Sequence, residues 1–321
     1  MDELLDLIII GAGPTGLATA IDAHRRGLKY IVLEKGCITN SIVHFPSQMV
    51  FFTTPELLEI GGVPLVSERE KPTRNEALKY YRKIVGAFKL KVHQYEAVQK
   101  VENAGPHRFR VTTPVAAYTT ANITLAMGYY DNPNYLGIPG EDLPHVSHYY
   151  SEPYSYYDRD VVVVGGKNSA AEAALDLFRG GARVSLVHRG AEMGSTLKYW
   201  VRPDIENRFK ASEVKPFMNS QILQITESAV EIDQLGNRQS IRAQQVFLLT
   251  GYHTNTVFFE QLGVQFDRDT LKPSFNPDTF ETNVPGVYLA GSVVGGRFNA
   301  EVFIENGRLH GEAVIRAIAG R

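Results

Sequence analysis

The chain has a single cysteine, Cys37, in 321 residues. One thiol excludes an intramolecular disulfide, a C-x-x-C redox pair and a cysteine-rich metal site. Apolar runs long enough to cross a membrane as a helix are also missing. Neither sign of charge dominates: 33 Lys and Arg face 35 Asp and Glu, a net charge of −2, so the basic footprint of a nucleic-acid binder is lacking. No His, Asp and Glu grouping has metal-ligand spacing, and no nucleophile elbow is present. The acidic start MDELLD leads directly into a strand, so no cleaved leader and a cytoplasmic location are expected. A hydrophobic content of 44% supports well-filled cores, and the length suits two domains.

Two glycine-rich turns stand out. In DLIIIGAGPTGLATA, Gly11, Gly13 and Gly16 have G-x-G-x-x-G spacing; in DVVVVGGKNSAAEAA, Gly165 and Ala170 hold the first and last positions. Each follows an apolar strand, opens an alanine-rich helical segment and is followed by another strand, which is the context a dinucleotide fingerprint requires. The glycines allow a tight turn, close approach to a pyrophosphate and close helix–strand packing, while the helix N-terminus offers free N–H groups. Glu34 stands eighteen residues after Gly16, and His188, followed by Arg189, stands eighteen after Ala170. A carboxylate there accepts hydrogen bonds from an unphosphorylated ribose; a cationic pair suits a 2′-phosphate. The first turn therefore reads as an FAD or NAD site, the second as an NADP site. Lys167 replaces the middle glycine of the second motif, as either a phosphate contact or a solvated loop lysine.

The coarse organisation follows from periodicity. Residues 6–10 and 30–34 read as buried parallel strands, and residues 14–26 as the helix between them, ended by Gly27. An aromatic, turn-rich stretch, GCITNSIVHFPSQMVFFTTP, follows without helical period. Thr73 and Glu76 have capping-box spacing at the head of a helix. Residues 90–101, 107–113 and 117–125 alternate like strands of a small antiparallel sheet. A second unit runs from about Tyr149 to Leu249 with its own strand, glycine turn and helix, and VPGVYLAGSVVGG begins a final strand, turn and helix that returns to the first domain. The expected class is α/β: two Rossmann-like three-layer domains, one of residues 129–251 and a discontinuous one of 1–128 and 252–321.

These elements resemble the two-dinucleotide flavoproteins of the low-molecular-weight thioredoxin reductase type, and within it the YpdA family of bacillithiol disulfide reductases. The motifs carrying the likeness are EKGCITNSIVHFPSQMVFFTT, LEIGGVP, KPTRNEALKYYR, VVVVGGKNSAAEAALDL, LVHRG and VFIENGRLHG, spread over nearly the whole chain. The resemblance implies FAD in the discontinuous domain, NADPH in the inserted one, and a homodimer or homotetramer. Its implied flavin contacts are Gly11, Gly13, Pro14, Thr15, Gly16, Glu34, Lys35, Asn40, Ser41, Thr53, Gly128, Gly291, Ser292, Phe303 and Ile304, with Thr54 a further candidate in the aromatic stretch after Glu34, which in a flavoprotein would wrap the ribityl chain and the ring. On the NADPH side stand Gly165, Lys167, Asn168, Ser169, Ala170, His188, Arg189 and Lys198. The segment Asn299–Gly307 is expected to point a helix N-terminus at the flavin pyrimidine edge, and His310 to be structural.

One departure bears on the chemistry. In the thiol-reducing members a cysteine follows the proline of the first glycine motif; this chain has Thr15 there. Cys37 lies three residues past Glu34, at the expected adenosine end. The resemblance thus implies hydride passing from NADPH to FAD and on to a small molecule or a small redox protein, with no chain thiol for a mixed disulfide. The alternatives are electron transfer of the ferredoxin– or flavodoxin–NADP reductase kind and a non-catalytic flavin redox sensor.

Overall fold

The computed structural model describes residues 4–298 and 301–320. By contacts the chain divides into two compact units: residues 1–43, 49–132 and 252–321 form one, and residues 44–48 with 133–251 the other.

The first unit is built on a five-stranded parallel sheet in the order Val287–Leu289, Ile123–Leu125, Leu7–Ile10, Tyr30–Leu33, Val92–His93. Strands of such a sheet are covered on both faces, which is why LIII and YIVL are apolar without alternation and wholly buried. The helix Pro14–Arg25 packs against Tyr30–Leu33 and against the last helix, His310–Ala319. Arg74–Phe88 starts at the expected capping box: Glu76 accepts the Thr73 N–H at 2.7 Å, and the Thr73 hydroxyl accepts the Glu76 N–H at 3.2 Å. The N–H groups of Thr73 and Glu68 hold the Glu76 carboxyl down at about 2.

The expected antiparallel strands are partly redistributed. Lys100–Gly105, Arg108–Thr112 and Ala117–Thr120 form an antiparallel sheet, to which Leu4–Leu5 adds in parallel. Val92–His93 and Ile123–Leu125, read as part of that sheet, belong instead to the large parallel one. Ile123–Leu125 is buried throughout, as a central strand requires, whereas half-buried residues precede it.

The second unit repeats the plan. Val214–Phe217, Arg183–Val187, Asp160–Val164, Gln245–Leu248 and Val146–Ser147 lie side by side, all parallel. Helix Asn168–Arg179 buries Ala170, Ala171, Ala173 and Ala174 against them. Small side chains let a helix approach a sheet closely at little entropic cost. Between Val214–Phe217 and Gln245–Leu248 the chain forms a three-stranded antiparallel meander: Ser220–Ile225, Ala229–Gln234 and Asn237–Arg242. Its Val230, Ile232 and Ile241 pack on Val162, Val164 and Val246. Each side chain so buried contributes roughly 1.5–3 kcal/mol.

Candidate functional site

The first seat is the turn between Leu7–Ile10 and Pro14–Arg25. A Cβ on Gly16 would stand 2.0 Å from the Gly11 carbonyl oxygen, so the helix can approach the strand only with glycine there. No side chain caps the helix at Gly13, and around a Cβ placed on Gly13 there is open space. The amides of the first turn thus face outward without a side-chain acceptor, which suits a phosphate.

Glu34 closes this seat. It is buried, with one carboxylate oxygen accepting the Ala12 N–H at 2.7 Å and the other the Gly36 N–H at 2.9 Å. Burial raises its pKa, against the lowering effect of these two amides. A carboxylate has about four acceptor sites, so two remain for hydroxyl donors such as those of a ribose. The wrapping stretch joins here through Thr39, whose N–H donates to Ala12 O at 2.9 Å. Asn40 and Ser41 sit on the short helix Asn40–Val43, and Thr53 is buried. Lys35 pairs with Asp131 at 3.0 Å, an acidic partner that sequence spacing does not announce. Together with the Tyr130–Tyr252 ring contact at 4.6 Å and the His253 N–H donating to Asn132 O at 2.9 Å, this pair holds residues 129–132 to the first unit.

The opposite side of the seat is made by the C-terminal segment. Ser292 Oγ lies 3.6 Å from a Cβ placed on Gly128, so these two expected contacts are neighbours. Thr15 packs against Gly291 and Gly307. The Gly291 N–H donates to His310 Nδ1 at 3.1 Å, and the imidazole stacks on Phe280 with centroids 4.1 Å apart. Burial pushes His310 down to about 4, consistent with a neutral ring that accepts at Nδ1. His310 thus positions the turn that carries Gly291 and Ser292, a role beyond simple packing. Phe303 precedes a four-residue helix, Ile304–Gly307; its N–H donates to Asn306 Oδ1 at 2.8 Å, and its ring meets the edge of Phe52 at 5.4 Å. Asn299, where this helix was expected to begin, lies outside the described residues. The expected continuous helix is two, parted at Arg308 and Leu309.

The second seat has the same build and a different lining. Helix Asn168–Arg179 has Lys167 at its N-cap without a side-chain cap, and Lys167 and Ser169 are exposed. A Cβ on Gly166 would fall 2.1 Å from His188 Cε1: the imidazole lies directly against the glycine turn. Burial, then the charge of Arg189, lowers the His188 pKa. Arg189 is exposed and, among the described residues, makes no ion pair. Lys198 pairs with Glu172 at 2.7 Å, and Asn168 binds the backbone at Thr196 and Lys198. Where the first seat ends its second strand in a buried carboxylate, this one ends in an imidazole and a guanidinium, the donor set for a phosphate.

Among the described residues no group of three His, Cys, Asp or Glu side chains could hold a metal ion, and no helix is long and apolar enough to cross a membrane. Comparison with known proteins accords with the paired seats. The profile of the pyridine nucleotide-disulphide oxidoreductases matches residues 8–291. The chain belongs to this family. It is 43% identical, over 98% of its length and 97% of the other's, to the bacilliredoxin reductase Bdr of Bacillus subtilis. The structure of the bacillithiol disulfide reductase Bdr (YpdA) from Bacillus cereus superposes with a TM-score of 0.96 at 40% identity, covering 99% of this chain and all of that one. A ferredoxin–NADP reductase of Streptococcus gordonii is 28% identical over 91% of this chain and 86% of that protein. The chain is thus a flavoprotein oxidoreductase that uses a pyridine nucleotide, and the resemblance to the YpdA proteins holds over its whole length.

Proposed function

We propose that the first seat takes FAD, the second NADPH, and that electrons pass from NADPH through the flavin to an acceptor without an intervening thiol of the chain. The observation that carries this is the contrast between Glu34 and the His188–Arg189 pair at equivalent positions. When bound, the flavin supplies hydride acceptance from the nicotinamide and onward transfer of the electrons. The chain supplies the seats. The uncapped helix starting at Pro14 and the Gly11–Gly16 turn hold the flavin pyrophosphate, and Glu34 holds the adenosine ribose. His310 fixes the Gly291–Ser292 turn. On the nucleotide side, the Gly165–Ala170 turn holds the pyrophosphate, and His188 and Arg189 select the 2′-phosphate.

The acceptor class that fits the bacillithiol disulfide reductase of Bacillus cereus is a low-molecular-weight disulfide. Thr15 removes the thiol that a mixed-disulfide route would use, so reduction of such a substrate must proceed from the flavin directly. A second reading, favoured by Thr15 and by the ferredoxin–NADP reductase relative, is a small redox protein as acceptor. An acceptor screen separates them. NADPH oxidation is followed with bacillithiol disulfide, ferredoxin, flavodoxin, quinones and oxygen. Turnover with one class at rates near flavin reduction identifies it, and no turnover with bacillithiol disulfide, ferredoxin or flavodoxin refutes both acceptor readings.

A further inference from the structure

The segment after Arg183–Val187 returns across the second glycine turn as a strap. The Gly194 N–H donates to Gly166 O at 2.8 Å, and Arg202 holds the Gly194 carbonyl, also at 2.8 Å. The Asn168 carboxamide grips the strap twice, accepting the Lys198 N–H at 2.9 Å and donating to Thr196 O at 3.2 Å. Met193, Leu197 and Val201 are buried in the core beneath. The strap backbone is therefore fixed to the first residue of the helix whose N-terminus faces the dinucleotide.

Lys198 is the charged part of this strap. Its Nζ lies 2.7 Å from Glu172 Oε1, one helical turn beyond Asn168, and 5.7 Å from the centre of the Trp200 ring. The pair is partly exposed, with the two side chains 25% and 45% accessible, and such pairs are weak. The backbone tether keeps Lys198 beside the helix whose N-terminus forms the phosphate seat, and its ammonium pairs with the Glu172 carboxylate. A phosphate monoester carries about −1.5 to −2 charge at neutral pH and three acceptor oxygens, and so competes well against the Glu172 carboxylate for this ammonium.

We propose that Glu172 is an internal substitute for nucleotide phosphate: it holds the Lys198 ammonium beside the glycine turn, and a phosphate of the bound dinucleotide takes that ammonium from it. Glu172 then lowers the affinity of the site and keeps Lys198 in reach, while Arg189 is a contact without such a competitor. This rests on the reading of the second unit as a nucleotide seat.

Trp200 is the only tryptophan of the chain, so its emission reports on the neighbouring ammonium. The FAD-loaded protein is titrated with NADP+ and separately with NAD+, reading tryptophan emission and, by calorimetry, the dissociation constant. NADP+ should change the emission of the unmodified protein. Glu172→Gln should tighten NADP+ binding severalfold. Lys198→Met should weaken it about tenfold, the scale of a charge-assisted hydrogen bond, and abolish the emission change. Shifts confined to NADP+ place the ammonium on the 2′-phosphate; equal shifts for both nucleotides place it on the pyrophosphate. The proposal is overturned if Glu172→Gln leaves affinity unchanged or weakens it, or if Lys198→Met binds like the unmodified protein. Failure of the unmodified protein to bind either nucleotide would refute the nucleotide reading itself. Normal NADP+ binding with insensitive variants refutes the roles of Glu172 and Lys198 and leaves the nucleotide reading standing.

Discussion

The Thr15 hydroxyl stands where a side chain on Gly291 would have to go: a Cβ built there lies 2.8 Å from Thr15 Oγ1. The same oxygen is 3.1 Å from a Cβ on Gly307. Thr15 thus fills a recess that two glycines leave open, and cysteine, which lacks the γ-methyl, should fit it. Thr15→Cys is expected to retain flavin and lose less than about 1.5 kcal/mol of stability, the range for volume-conserving changes. Gly291→Ala collides with Thr15 at a positive φ of +80° and should release the flavin. Flavin absorbance after gel filtration, with thermal melts, checks both; a Gly291→Ala protein that keeps its flavin would show the contact to be slack.

The absence of a thiol at this place has a kinetic consequence. Cys37 is half-buried, with Sγ 3.8 Å from Asn40 Oδ1 in the loop after Glu34. Cys37→Ser should leave flavin reduction by NADPH unchanged, and disulfide reduction by the unmodified chain should be slow or absent. Stopped-flow bleaching of the flavin and steady-state turnover with bacillithiol disulfide, repeated for Thr15→Cys, test this. Brisk turnover of the unmodified protein after alkylation would mean that direct reduction from the flavin suffices.

NADPH should be strongly preferred to NADH. Removing the exposed Arg189 guanidinium deletes a charged hydrogen bond of roughly 1.5–3 kcal/mol. Arg189→Ala is therefore expected to raise the half-saturating NADPH concentration by about ten- to a hundredfold and to leave NADH nearly untouched. Equal use of both nucleotides by the unmodified protein would refute the 2′-phosphate seat.

Both glycine turns, the positions of Glu34 and the His188–Arg189 pair, and the Thr73–Glu76 capping box were legible because each follows from the fixed spacing of a local strand, turn and helix or of a helix cap. The same holds for Leu7–Ile10 and Asp160–Val164, whose unbroken apolar runs mark strands covered on both faces. The meander of residues 220–242 has alternating polarity and a Leu235–Gly236 turn, a signal present but not recognised. Other features were not legible for physical reasons. Gly291 meets His310 because the Gly291–Gly295 turn and the start of the last helix, with the short helix Ile304–Gly307 between them in sequence, come together in the fold. The acidic partners of Lys35 and Lys198, Asp131 and Glu172, are set by folding rather than spacing. Two of the lysines expected at the cofactor seats, Lys35 and Lys198, are thus paired by the chain itself.

His310 provides a pH test of the flavin-side turn. Burial lowers its pKa from the ordinary 6.5 to about 4. Between these values the unfolded chain binds a proton that the folded chain refuses, so stability falls as pH drops from about 6.5 to 4 and this group adds nothing further above 6.5. The shift corresponds to at most about 3 kcal/mol, reduced by the partial solvent access of the ring. Asp22 acts in the opposite sense: burial raises its carboxyl to about 6, so its contribution favours the folded state as pH falls. Comparing the unmodified protein with His310→Gln cancels Asp22, since both carry it. Glutamine keeps an acceptor for the Gly291 N–H but does not titrate. Urea unfolding should show the unmodified protein losing more stability than His310→Gln between pH 6.5 and 4, and its flavin should dissociate first as the ring protonates and gives up the Gly291 bond. Parallel stability curves for the two proteins would show that the ring does not titrate with folding, and would remove His310 from the flavin seat.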